Sequence, residues 1–99
     1  MIILAGSVRL PPENIEAVRP HLETMVRASR AEPGCRVYSF SFDALEPGLV
    51  RVFEVFDDEA ARDAHRHSPH MAAWRAVWPE LGIGDREITV YEVARSEAG

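Results

Sequence analysis

The segment AHRHSPHM, residues 64–71, brings His65, His67 and His70 close together in the chain. Imidazole binds transition metals and also exchanges protons near neutral pH, so both kinds of chemistry have to be weighed. A helix brings metal ligands together at spacings of three or four residues. Only His67 and His70 have such a spacing, and Pro69 interrupts the turn between them. Neither a cysteine nor a clustered carboxylate completes a ligand set by sequence spacing, and we therefore predict no metal site.

An acid–base pair is the other interpretation of these histidines. On an unbroken helix, His65 and His70 would point about 140° apart. The Ser68–Pro69 step changes this, because serine is a common N-cap and proline a common first helical residue. His65 would then end one helix, where the helix dipole favours imidazolium, and His70 would begin the next, where it favours neutral imidazole. We predict that His70 is a catalytic base and that His65 orients it or donates a hydrogen bond; a helix cap and a polar filler beside Trp74 are the structural alternatives.

Glu54 is the acidic residue in the most apolar surroundings. It lies in LVRVFEVF, residues 49–56, where a carboxylate is costly unless it is paired or hydrogen-bonded. Two interpretations stay open: it holds a histidine or polarises the substrate, or it forms an interior ion pair with Arg51, Arg36 or an arginine of a second subunit. Tyr38 could donate its hydroxyl to a substrate oxygen or reach water with its tip. The side chains predicted to surround a planar ligand, besides forming the core, are Trp74, Phe40, Phe53, Phe56 and Met71.

Hydrophobic periodicity predicts the elements that position these residues. Alternating or β-branched runs predict strands, apolar spacings of three and four predict helices, and Pro-Gly pairs predict turns. Pro20 is expected to bend the first helix or make it locally irregular. The predicted elements are a strand at 2–10, a helix at 12–31, strands at 35–43 and 49–56, a helix from 57 or 58 to about 66, a helical segment at 69–81 and a strand at 86–94.

The order of these elements is that of an α+β ferredoxin-like split βαβ fold, with a four-stranded antiparallel sheet and helices on one face. Large apolar side chains stand on both faces, since Val37 alternates with Phe40, and Phe53 with Val52. The helices cover only one face, so we expect a second copy of the chain to cover the other. This predicts a homodimer formed by face-to-face packing of the sheets, a dimeric α/β barrel. A solvated face with scattered apolar residues is the alternative.

Composition sets the class of protein. The 99 residues, 46% hydrophobic and 27% charged, predict one globular domain at 1–99, with a core at about 2–94 and a loose tail at 95–99. A net charge of −5 and scattered arginines argue against nucleic acid as a partner. The opening MIILAGSV is too short to span a bilayer and lacks the features of a secretory signal, so no membrane partner is expected. With Cys35 as the single cysteine, no internal disulfide can form, and a cytoplasmic location is expected.

Several short motifs follow one another along the chain. They are EPGC at 32–35 followed by Tyr38 and Asp43, Glu54 within VFEVF, and AHRHSPHM with Ala64, His65, Pro69, His70 and Met71. Together they resemble the antibiotic biosynthesis monooxygenase family, small dimeric α/β-barrel proteins that include quinol and anthrone oxygenases. The likeness extends from about Ile2 to Val93. One departure is Phe56, where many relatives have tryptophan.

The resemblance implies oxygenation of an electron-rich aromatic, such as a quinol or an anthrone, by molecular oxygen without metal, flavin or haem. Triplet oxygen reacts slowly with closed-shell molecules, whereas a deprotonated quinol or anthrone is a good one-electron donor. The protein then has to bind a flat ring, take its proton and stabilise the anion in a dry cavity. We therefore predict a monooxygenase that needs no cofactor.

Two alternatives to this function stay open. One is a haem-binding or haem-degrading relative with His70 as axial ligand; Phe56 and a first strand without asparagine argue against it. The other is a non-catalytic or stress-related module of the same fold that binds a small aromatic molecule.

Overall fold

The computed structural model describes all 99 residues and shows a four-stranded sheet with helices packed on one face. The strands are β1 (Ile2–Arg9), β2 (Cys35–Phe42), β3 (Leu49–Phe56) and β4 (Gly84–Glu92). Their order in the sheet is β2-β3-β1-β4, and every neighbouring pair is antiparallel. The helices are α1 (Ile15–Arg30), α2 (Glu59–Arg66), α3 (Pro69–Ala76) and α4 (Trp78–Leu81). The predicted ferredoxin-like α+β fold is confirmed.

The helices differ from the predicted ones at their ends. A 3-10 turn at Pro12–Asn14 precedes α1, which therefore begins at Ile15, and α1 continues through Pro20 as regular α-helix. The predicted segment at 69–81 is divided at Val77 into α3 and α4. Pro79 accounts for this division, because it has no N–H to continue the hydrogen-bond ladder. None of the four helices combines the length and hydropathy that a membrane span requires.

The break between α2 and α3 lies at the predicted Ser68–Pro69 step. The Ser68 hydroxyl accepts a hydrogen bond from the Met71 N–H at 3.4 Å and donates one to the His65 carbonyl at 2.7 Å. Serine thus caps the start of α3 and satisfies a carbonyl at the end of α2, and Pro69 occupies a position where no N–H is needed. The chain therefore changes direction here with Ser68 hydrogen-bonded to the end of one helix and the start of the next.

Gly6 allows β1 and β4 to approach each other closely. A Cβ atom at this position would lie 1.8 Å from the backbone oxygen of Glu87, well inside van der Waals contact. The ladder between these strands is irregular between Ser7 and Arg9, directly after this close approach. Only glycine fits here without displacing β4.

The strand registers determine which side chains face the helices. Tyr38, Glu54 and Leu4 are directly paired across β2, β3 and β1, so their side chains lie on one face. Phe53, one residue from Glu54, points to the opposite face and is 43% exposed. Val37 and Tyr91 are also exposed on that face, at 39% and 51%. The sheet therefore has a helix-covered face and a free face with large apolar side chains.

Candidate active site

A cavity of about 460 Å³ lies between the helix-covered face of the sheet and the helices α2, α3 and α4. Its volume is within the range of small-molecule sites. Most of the wall is apolar or aromatic, and the polar side chains in it are Tyr38, Glu54, His65 and several arginines. The apolar wall includes Leu4, Phe40, Val52, Met71, Trp74 and Trp78. A flat hydrophobic ligand with a few polar groups would suit these surroundings.

His65 is the central polar residue of the wall. It lies in the last turn of α2, is 3% exposed, and packs against the rings of Tyr38 and Phe56 at centroid distances of 4.9 and 5.2 Å. Its Nδ1 is 3.0 Å from both carboxylate oxygens of Glu32. Since a carboxylate accepts hydrogen bonds, we assign the ring proton to Nδ1. The Nε2 lone pair is then free, and Nε2 is buried and has no hydrogen-bond partner.

Glu32 is the residue that sequence reasoning missed. It follows α1 in the turn that leads to β2, and one of its oxygens also contacts Nε2 of His70 at 2.5 Å. The carboxylate therefore lies between two imidazoles whose ring centroids are 6.0 Å apart. The only signal was its place in the EPGC motif, to which no chemistry was assigned. Its separation from His65, 33 residues, is set by the topology and cannot be inferred from helical spacing.

These three residues are also the ones that could hold a metal ion. The ligand atoms of Glu32, His65 and His70 lie within 4.8 Å of one another, and two imidazoles with one carboxylate suit divalent transition metals. The sequence offered no carboxylate at ligand spacing, but the fold supplies one. In the structure, each ring nitrogen that faces Glu32 makes a hydrogen bond to it, so the cluster is complete as a hydrogen-bonded network.

Glu54 lies on the other side of His65. It is 6% exposed, and its Oε1 is 3.7 Å from the free Nε2 of His65. Burial raises the pKa of the Glu54 carboxyl to about 7; Arg86 lowers it, the charge of Glu32 raises it and Arg62 lowers it. This side chain is thus poised to gain or lose a proton near neutral pH.

The predicted ion pairs of Glu54 with Arg51 and Arg36 are wrong. Arg51 donates to Asp43 at 3.3 Å, and Arg36 forms an ion pair with Asp57. Arg51 points to the face of the sheet opposite to Glu54, because strand residues separated by an odd number of positions face opposite ways. The structure instead places Glu54 beside a histidine, as the other interpretation had it.

The expectation that the helix end favours imidazolium at His65 is also wrong. Burial of the ring lowers the pKa of His65, and this outweighs the hydrogen bond and charge of Glu32, which raise it. Desolvation penalises the charged form more than one carboxylate and the weak negative end of a two-turn helix can compensate. His65 is therefore a neutral ring near neutral pH.

Tyr38 is fully covered, which excludes the interpretation that its tip reaches water. It is 1% exposed, and its hydroxyl lies 3.7 Å from the sulfur of Met71. Burial, followed by the charge of Glu54, raises the pKa of the phenol. Tyr38 thus stays protonated, and in the cavity wall it donates its O–H to the Met71 sulfur.

The predicted ligand-binding side chains separate into two groups. Trp74, Phe40 and Met71 line the cavity. Phe56 is completely buried against His65 and lies behind the wall, and Phe53 lies on the free face of the sheet, so neither lines this cavity. His70 does not line it either, because its ring is on the far side of Glu32.

The fold and this cavity define a class of protein: a small ferredoxin-like α+β domain with an aromatic pocket under its helices. Residues 1–77 match the family model of the antibiotic biosynthesis monooxygenases. The chain belongs to this family, and the predicted resemblance is confirmed.

Individual relatives agree with this assignment. "Putative monooxygenase Rv0793" of Mycobacterium tuberculosis is 37% identical over 79 residues, which are 80% of this chain and 77% of that protein. An uncharacterized protein of Synechocystis is 32% identical over 97% of this chain, but the match spans only 65% of the relative's length. A crystal structure from Deinococcus radiodurans, described as a "putative antibiotic biosynthesis monooxygenase", superposes with a TM-score of 0.90 at 28% identity, and the match covers 99% of this chain and 97% of that one. At the level of the family, the chain is thus placed among proteins named as monooxygenases.

Proposed function

We propose that this protein is a monooxygenase that oxygenates an electron-rich, hydroxylated aromatic compound of the quinol or anthrone type with molecular oxygen and without a bound cofactor. The observation that carries the proposal is His65 in the wall of an aromatic cavity, with its buried Nε2 unpartnered while Glu32 holds the opposite nitrogen. A lone pair oriented in this way, with a protonatable carboxyl beside it, is a suitable base for a phenolic or benzylic proton.

Each step of the proposed reaction is assigned to residues of the cavity wall. The ring of the substrate would pack against Trp74 and Phe40, and His65 would take its proton, with Glu54 sharing that proton at 3.7 Å. Tyr38 would donate its hydroxyl to the substrate oxygen where negative charge develops. The resulting anion gives up an electron to oxygen far more readily than the neutral ring.

The balance of atoms requires no external reductant. One oxygen atom enters the substrate as a new carbonyl or hydroxyl group, and the other leaves as water. The substrate itself supplies all four electrons, because an anthrone methylene becomes a carbonyl or a quinol becomes a hydroxyquinone.

This proposal exchanges the roles that the sequence suggested for the two histidines. His65 faces the cavity and acts as the base, whereas His70 contacts Glu32 and positions the carboxylate that holds His65. If His70 were the base, as the sequence predicted, replacing His70 would lower the activity more than replacing His65. One experiment with both variants therefore separates the two assignments.

Oxygen consumption with a panel of quinols and anthrones tests the function. We expect turnover to incorporate one labelled atom from ¹⁸O₂, and His65→Gln to lower kcat/KM by about 100-fold or more. His67→Gln is the matched control, since His67 is exposed and its ring contacts only Asp63. A larger loss in His70→Gln than in His65→Gln would restore the sequence-based assignment, and equal rates in all three variants would refute a histidine base.

Binding without turnover is the outcome that favours the second candidate. The same cavity could sequester a small aromatic molecule without chemistry, and quenching of Trp74 and Trp78 by ligands that are never oxygenated would support that function.

We also propose a cytoplasmic homodimer that buries the free face of the sheet; exposed Phe53 and Tyr91 support the dimer, and the single cysteine supports the location.

A further inference from the structure

The cavity wall carries a charge opposite to that of the whole protein. The chain has a net charge of −5, yet the residues that line the cavity include four arginines, Arg62, Arg66, Arg75 and Arg86, and a single carboxylate, Glu54. A low-dielectric cleft lined by one sign of charge concentrates ligands of the other sign. The distribution therefore favours an anionic ligand in a protein that repels anions elsewhere.

Two of these arginines have no carboxylate partner. Arg62 pairs with Glu59 at 2.8 Å, and Arg66 pairs with Asp63 at 3.0 Å. Arg75 donates only to the backbone carbonyl of Arg66, and neither it nor Arg86 has a carboxylate oxygen within 4.0 Å. Two guanidinium groups at the wall thus keep free donors and form no ion pair, although the charge of Arg86 acts on Glu54 from a distance.

The wall also contains buried polar atoms without partners. Nε1 of Trp78 and Nε of Arg62 are buried donors with no hydrogen-bond acceptor, and Nε2 of His65 is a buried acceptor with no donor. Buried groups of this kind are costly, and each is satisfied if a ligand supplies the complementary atom. Oxygen atoms of a ligand would accept hydrogen bonds from the two donors, and a ligand hydroxyl would donate one to His65.

We propose that the substrate is a hydroxylated aromatic acid: a fused or single ring whose hydroxyl donates to His65 and whose carboxylate binds Arg75 and Arg86. A planar carboxylate matches the two parallel N–H groups of a guanidinium. The apolar wall would hold the ring between His65 and the two arginines. This names the substrate class of the proposed monooxygenase and rests on that function for turnover, but its claim about binding stands independently.

Binding of two matched ligands tests the proposal. The ligands are 6-hydroxy-2-naphthoate and 2-naphthol, which share the ring and the hydroxyl and differ in the carboxylate at the opposite end of the ring. The only two tryptophans of the chain, Trp74 and Trp78, both line the cavity, so quenching of their fluorescence reports occupancy. We expect the acid to bind at least about tenfold more tightly, as a charged hydrogen bond implies, with a preference that weakens as salt is added.

Variants locate the source of this preference. Arg75→Gln with Arg86→Gln should bring the two dissociation constants together, and Arg75→Lys should keep part of the difference because it retains the charge. Arg27→Gln is the matched control: it removes one positive charge from an exposed residue of α1 that does not line the cavity. Equal affinities for both ligands in the wild type, or a preference that survives the double substitution, would overturn the proposal.

The same experiment distinguishes this proposal from the proposed function. Binding is measured under argon, where no oxygenation can occur. If the protein binds the acid selectively but consumes no oxygen in the turnover assay, the proposed monooxygenase function is refuted and the proposed ligand class stands. A second arm compares kcat/KM for 1,4-dihydroxy-2-naphthoate and 1,4-dihydroxynaphthalene. Equal turnover of both quinols would retain the oxygenase and refute the requirement for an acid.

Discussion

Replacement of Glu54 by glutamine should make the protein more stable, and more so at alkaline pH. The folded-state pKa of this carboxyl is about 7, against an ordinary value of 4.5. A carboxyl whose pKa is raised on folding favours the folded state only while it is protonated, so its ionised form destabilises the fold progressively as the pH rises from 4.5 through 7. The difference of 2.5 units corresponds to about 3 kcal/mol at pH 8 and to less than about 1 kcal/mol at pH 5. Glutamine cannot ionise, and its amide can donate to the free Nε2 of His65.

Urea unfolding followed by circular dichroism measures this difference. Wild type and Glu54→Gln are compared at pH 5 and pH 8 at one protein concentration, because a dimer makes stability depend on concentration. Glu23→Gln serves as the control, since Glu23 is an exposed carboxylate on α1, away from the free face. The expected result is a gain for Glu54→Gln that grows between the two pH values, together with a loss of oxygenase activity. The same gain at both pH values, or a less stable variant at pH 8, would show that burial does not raise this pKa.

Three further predictions concern the cap, the free face and the metal. Ser68→Ala should cost about 1 kcal/mol in urea unfolding because it removes the N-cap of α3, and Ser68→Thr should restore most of it; no loss in the alanine variant would contradict the assigned cap. Phe53→Glu should convert a dimer into a monomer in sedimentation velocity, whereas Leu45→Glu, which changes a 93% exposed side chain in a turn, should not; a monomeric wild type would refute the interface. Chelation with EDTA should leave oxygen uptake unchanged, and an activity lost on chelation and restored by a divalent metal would instead assign a metal to Glu32, His65 and His70.

The fold could be predicted because its signals are local. Alternation and helical spacing define the strands and helices, and the Ser68–Pro69 step has a cap and a proline that act within a few residues. The discrepancies lie at element ends, where a short 3-10 turn at Pro12–Asn14 competes with the first turn of helix, and at Pro79, whose missing N–H divides a continuous apolar stripe. Local patterns do not resolve competition between turn types of similar energy.

The site was only partly predictable because it depends on contacts distant in sequence. His65, Tyr38 and Glu54 were identified from residue type and surroundings, and the structure brings them together at one cavity. Glu32 was not, because nothing in a one-dimensional pattern shows that the turn after α1 meets the end of α2. Phe53 illustrates the other difficulty: alternation separates the two faces of a strand, but the sequence does not say which face encloses a ligand.

Burial of His65 and Glu54 reverses the order in which a histidine and a carboxylate ordinarily hold a proton. The same loss of hydration that raises the pKa of Glu54 to about 7 lowers that of His65 below its usual 6.5, because in both cases the charged form is the one penalised. Near neutral pH, the imidazole is therefore neutral and its Nε2 lone pair can accept a proton, while Glu54 beside it titrates. An ion pair between the two would have occupied that lone pair before any substrate arrived. The proposed transfer of a proton from a weak carbon or phenol acid thus gains from a dry site, and the negative charge that appears on the substrate oxygen is the one that the Tyr38 hydroxyl would stabilise.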